Sequence, residues 1–113
     1  MAENCLFCKI VAGEIPAKIV SRTDKAIVFR DINPQAPSHM LVIPVKHVAS
    51  LNEADAGIDL GTLLRTAAEA AKQEGIDSSG YRVVVNTGEN GGQTVAHLHL
   101  HVLGGRHMTW PPG

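Results

Sequence analysis

Toward the C-terminus the sequence reads Ala96-His97-Leu98-His99-Leu100-His101-Val102, three imidazoles on alternate positions with an aliphatic residue in each gap. Successive side chains of an extended strand leave opposite faces, so the rings line one face while Leu98, Leu100 and Val102 line the other. Rings that share so small a volume repel one another when charged, and partial burial adds to this, so the neutral form dominates at pH 7. Neutral imidazole is a nucleophile and a base. A histidine flanked by two others can attack an electrophile while a neighbour holds its second nitrogen or gives a proton to the leaving group. Two other readings stay open: three imidazoles on one strand face could ligate a zinc ion, or histidine could be plain polar filler. Half of the six histidines fall within five positions, which disfavours filler.

The segment just before the histidines, Asn86 to Thr94, supplies Asn86, Gln93, Thr94 and several glycine amides, a donor-rich concavity of the kind that holds a phosphate. No Gly-Lys-Ser/Thr follows it, so it is not a P-loop. Next to three histidines it reads as a phosphate pocket with a nucleophile in its floor. At the other end stand Cys5 and Cys8, too close for a long-range staple and too few for a secreted disulfide scaffold, which points to a reducing, cytoplasmic compartment. Only four residues precede the pair, so a thioredoxin-like redox role, which needs a strand first, is disfavoured. Acidic Glu3 stands where a secretory signal would be basic, and no apolar run approaches the roughly 20 residues of a membrane span.

These groups need elements to position them. Residues 4–13 read as a short helix capped by Asn4 and stopped by Gly13 and Pro16. Two β-branched runs, 17–22 and 26–31, flank a turn at Asp24, and a proline-rich loop leads into the apolar strand 40–44. A helical pattern runs from Leu51 to Glu74, with Leu60, Leu63, Leu64, Ala67, Ala68 and Ala71 on one face and Gly75 ending it. Strands over 81–86 and 96–105 follow, the glycine-rich loop between them. The tail, 105–113, is irregular because Pro111, Pro112 and Gly113 close it. The expected architecture is one α+β domain spanning 1–113, a five-stranded antiparallel sheet with one long and one short helix on one face. Its 113 residues, 44% hydrophobic and 19% charged, suffice for one core, and a net charge of -1 offers no basic field for nucleic acid or acidic membranes.

His97-Leu98-His99-Leu100-His101-Val102-Leu103 resembles the histidine triad motif of the HIT superfamily. The stretches "DINPQAPSHMLVIP", "GGQTVAHLHLHVLGG" and the terminal "WPPG" resemble its Hint branch, the histidine triad nucleotide-binding proteins, over essentially the whole chain. The resemblance implies a homodimer that binds purine nucleoside monophosphates and hydrolyses phosphoramidate-linked AMP, with no metal in the catalysis. By that resemblance His99 is the nucleophile, His97 and His101 flank it, His101 bonds the phosphate or leaving group, and His39 is a fourth linked histidine. Asp31 would accept the ribose hydroxyls; Asn86, Gln93 and Thr94 would contact the phosphate and leaving group; Phe7, Ile10, Phe29 and Ile32 would form the base slot. Each has a plainer reading, the apolar four as core and Asp31 as a turn cap. Neighbouring readings are a dinucleoside polyphosphate hydrolase, against which the short chain and "WPPG" argue, and a nucleotide-binding regulator with incidental hydrolysis.

Two departures stand out. Ala96 replaces an aromatic residue common before the triad, which would widen the pocket or alter leaving-group preference, and Thr94 replaces serine while keeping its hydroxyl. The Cys5/Cys8 pair resembles half of a structural zinc site found elsewhere in the superfamily, completed by His47 and His97; the alternative is small apolar filler beside Phe7. The alanine-rich helix face implies either a two-fold dimer or ordinary core packing. Trp110 sits in a tail that the resemblance sends toward the partner's active site.

Overall fold

A computed structural model describes residues 4–113; Glu3, used above to argue against a secretory signal, lies outside the described residues. The chain orders as α1 (Leu6–Val11), β1 (Ile19–Arg22), β2 (Ala26–Arg30), β3 (Ser38–Pro44), a 3-10 turn (Leu51–Glu53), α2 (Leu60–Gln73), β4 (Tyr81–Val84) and β5 (Leu100–Gly104). The five strands form one antiparallel sheet in the order β1-β2-β3-β5-β4. The expected α+β class and strand count are therefore present.

β3 lies at the centre with every residue buried, which is why its sequence is apolar without alternation. Its two faces serve different layers. Val28, Met40, Val42, Leu98, Leu100 and Val102 pack with Leu63, Ala67, Ala70 and Ala71 of α2. Ile27, Phe29, Leu41 and Ile43 point the other way and pack with Phe7 and Ile10 of α1. The helices thus cover opposite faces rather than one, because β2 and β3 carry apolar residues on both sides and each side must be buried.

Four local expectations change. α1 is capped by Cys5, whose sulfur accepts the Cys8 N–H at 3.3 Å, so the cap falls one residue after Asn4. Asp24 lies in the bend of the first hairpin as expected, and Thr23 holds that turn, its hydroxyl accepting the Ala26 N–H at 3.1 Å. The long helix begins at Leu60, not Leu51: Ser50 caps a separate 3-10 turn, and Asp59 takes the Thr62 N–H to start α2. Within α2 Leu64 and Ala68 turn outward, and Ala70 joins the buried face instead. Finally, β5 begins at Leu100, and β4 ends at Val84. Continuing the β3–β5 register would set Leu98 against Pro44, which has no N–H to give. Leu98 N–H goes instead to the Val48 carbonyl at 2.8 Å. His97 and His99 therefore sit just before the strand, His97 in a bend, yet the alternation survives: Leu98 joins the α2-side core and both rings face the α1 side.

Candidate active site

His99 and His101 open into a cleft of about 250 Å³ lined by Phe7, Ile10, Phe29, Asp31, Ile32, Leu41, Thr94 and Val95 among others. Their rings lie 5.1 Å apart, and the Phe7 ring meets His99 edge-on at 5.1 Å. His99 Nδ1 is 2.7 Å from the carbonyl oxygen of His97. A carbonyl only accepts, so Nδ1 carries a proton, and in the neutral ring the lone pair is on Nε2. Buried to all but 4% of its surface, the residue is held in one orientation by that bond and by the edge-on Phe7 ring.

A second chain of contacts fixes His101. The main-chain N–H of Gln35 donates to His39 Nδ1 at 3.0 Å, leaving the His39 proton on Nε2. Nε2 lies 2.9 Å from His101 Nδ1 and donates to it, so the His101 proton sits on Nε2. His101 is thus an N–H donor whose ring stands beside that of His99. Burial, with repulsion from His99 and His39, pushes His101 down to about 4; burial also lowers His39, partly offset by the Asp31 carboxylate. Asp31 Oδ2 stands 3.4 Å from His39 Nε2, while its Oδ1 accepts the Asn33 N–H at 2.8 Å. Asp31 therefore both caps its turn and lines the cleft.

The apolar residues line the cleft, and three of them also pack in the core. Phe7, Ile10 and Phe29 belong to the α1-side core and present their outer edges to the cleft, whereas Ile32 is 99% exposed at its rim. Exposed isoleucine at the mouth of an apolar slot suits a flat ligand more than it suits water.

His97 takes a different part. Its Nε2 donates to the Pro44 carbonyl at 3.0 Å, which leaves the Nδ1 lone pair facing Cys5 Sγ at 3.3 Å, Cys8 Sγ at 3.5 Å and His47 Nδ1 at 3.1 Å. Ligand atoms of Cys5, Cys8, His47 and His97 all lie within 4.8 Å of one another. Two sulfurs and two imidazole nitrogens suit tetrahedral zinc, and the fully buried His97 already carries its outer hydrogen bond to a main-chain oxygen. Burial, reinforced by Cys5, pushes the Cys8 thiol up to about 11, a cost that a cation would remove by taking the thiolate. Asp31, His39 and His101 also cluster within 4.8 Å, but His39 Nε2 carries a proton there and cannot ligate unless Gln35 releases Nδ1.

The glycine-rich loop is braced by its own Gln93. The side-chain amide donates to Ala49 O at 2.7 Å and Val95 O at 2.9 Å, and its oxygen accepts the Gly88 N–H at 3.1 Å. Thr94 reaches the cleft; Gln93 lines a neighbouring depression with Thr94 and Ala96, and Asn86 is half-buried at the loop's start. Ala96 is therefore at an outer depression, not in the cleft beside His99. Trp110 is 81% exposed and lies over its own chain's Arg82, 6.0 Å from the ring centre. Sequence reasoning missed the main-chain groups that orient the rings: the carbonyls of Pro44 and His97 and the Gln35 amide. No residue type announces them.

The family model of the HIT domain matches residues 12–108. The purine nucleoside phosphoramidase of Escherichia coli K12 is 47% identical over 94% of this chain and 91% of its own. The 14 kDa zinc-binding protein of Zea mays is 50% identical over 96% of this chain and 87% of its own. Among solved structures, a HIT family hydrolase from Legionella pneumophila Philadelphia 1 superposes with a TM-score of 0.94 at 52% identity, covering 97% of this chain and 100% of that one. With a match to the family model across most of its length, the chain belongs to the HIT domain family.

Proposed function

We propose that the protein is a nucleotide-binding hydrolase that cleaves purine nucleoside phosphoramidates through a nucleotidyl-His99 intermediate. The observation that carries this reading is the His99 Nδ1–H bond to the His97 carbonyl, which leaves Nε2 bare toward the cleft. Nε2 attacks phosphorus, the P–N bond breaks, and the amine leaves with a proton; water then frees the nucleoside monophosphate. The same carbonyl steadies the positive charge on the substituted ring. His101 Nε2–H donates to a non-bridging oxygen or the leaving nitrogen. Phe7, Ile10, Phe29 and Ile32 take the purine, Asp31 the ribose hydroxyls, and the loop bearing Asn86, Gln93 and Thr94 the phosphate side. The Escherichia coli relative's name supports the P–N specificity.

Cys5, Cys8, His47 and His97 hold a structural zinc in this reading, a role that the Zea mays relative's name supports. The metal neutralises the thiolates and pins α1 to the histidine segment, and catalysis needs no metal. A homodimer forms through the unpaired edge of β4 and the outward Leu64 and Ala68 of α2, placing Trp110 near the partner's cleft.

The test is hydrolysis of AMP-lysine with and without a chelator, beside His99→Ala. Turnover indifferent to the chelator, a trapped AMP adduct on His99 by mass spectrometry and an inert variant are expected. Wild-type turnover by His99→Ala sinks the nucleophile, and AMP binding without any hydrolysis makes the protein a nucleotide-binding module.

A further inference from the structure

The contacts behind the site lead out to the surface. Arg106, exposed just after β5, donates from Nε to the Gln35 carbonyl at 3.1 Å, and the N–H of that same residue sets the His39 proton. Gly105 beside it adopts φ +90°, and a Cβ there would come within 2.9 Å of Pro37 Cβ. Residues 105 and 106 thus back the 33–37 loop at two points.

We propose that Arg106 is a positioning residue: by anchoring the Gln35 peptide it fixes the His39 proton on Nε2, and through it the His101 proton on the nitrogen that faces substrate. The inference rests on His101 acting as the donor described above. A loosened Gln35 lets His39 carry its proton on Nδ1 instead. His39 Nε2 then accepts rather than donates, the His101 proton moves to Nδ1, and its cleft-facing nitrogen turns from donor to acceptor. The bonds across His39 reverse without moving a heavy atom far, so substrate binding survives while the step that needs the donor slows.

Two variants act on the loop separately: Arg106→Ala removes the anchor, and Gly105→Ala keeps it but drives a methyl against Pro37. With AMP-lysine, kcat is expected to fall about threefold to tenfold for Arg106→Ala at unchanged KM, since one exposed hydrogen bond is lost. Arg106→Lys, which keeps a donor, recovers part of the loss. Nitrogen-15 NMR of the His39 ring in the full protein should show Nδ1 unprotonated in wild type and a tautomer mixture in both variants. A rise in KM alone would make Arg106 a substrate contact and overturn the proposal, as would an unchanged ring pattern in both variants. The NMR arm requires no turnover, so it fails or holds independently of the phosphoramidase reading.

Discussion

His97 and His99 stand two residues apart on one face, yet the structure gives them opposite chemistry. Each donates one ring N–H to a main-chain carbonyl, His97 from Nε2 to Pro44 and His99 from Nδ1 to His97 itself. The second nitrogen of the first therefore faces two sulfurs and His47, whereas the ring of the second lines a cleft with Thr94 and His101. A carbonyl's position, not the identity of the side chain, separates a ring turned toward sulfurs from a ring turned toward a cleft, and so the proposed metal ligand from the proposed nucleophile. The two centres share a backbone and should still fail separately.

The sharpest break is on the nucleophile side. His99→Ala is expected to lower kcat by at least about 1,000-fold, as losing a covalent nucleophile does, while AMP binding and thermal stability hold. Steady-state kinetics and calorimetry on one preparation check both halves, and comparable activity in the variant would dissolve the distinction. On the ligand side the pattern inverts. Cys8→Ser should lose a stoichiometric zinc by metal analysis and lower Tm by on the order of 5–10 °C, with kcat of the folded fraction near wild type. No zinc in purified wild type would leave His97 a buried hydrogen-bonded ring and nothing more.

A pH series sharpens the comparison further. His101, faced by His39, His99 and Asp31, titrates near 4 in the folded state against 6.5 in the unfolded chain. Between those values the unfolded state binds more protons, so the stability present above pH 6.5 is lost as pH falls toward 4. Thermal melts should show that decline in wild type and a shallower one in His101→Asn; equal slopes would mean the ring is not held neutral by its surroundings. The smallest effect falls between the centres. Gln93→Ala removes the brace of the glycine-rich loop and should cost about 1–2 kcal/mol in denaturant melts, with modest kinetic change.

Much of this was legible locally. Alternation in residues 97–102 separated aliphatic core from imidazole face, the apolar run of β3 marked a central strand, and Gly75 ended α2. Short-range competition was harder to read: Cys5 over Asn4 as a cap, and Asp59 rather than Leu51 as the start of α2, both depend on which polar group the surrounding packing leaves in reach.

Residue type and spacing determined that three imidazoles would share one side of a segment, because the backbone's two-residue period follows from covalent geometry alone. Only the tertiary structure decided where each proton rests. That choice belongs to partners such as the Pro44 carbonyl, 53 residues from His97, and the Gln35 amide beside His39, which any sequence supplies at every position and only folding brings into contact.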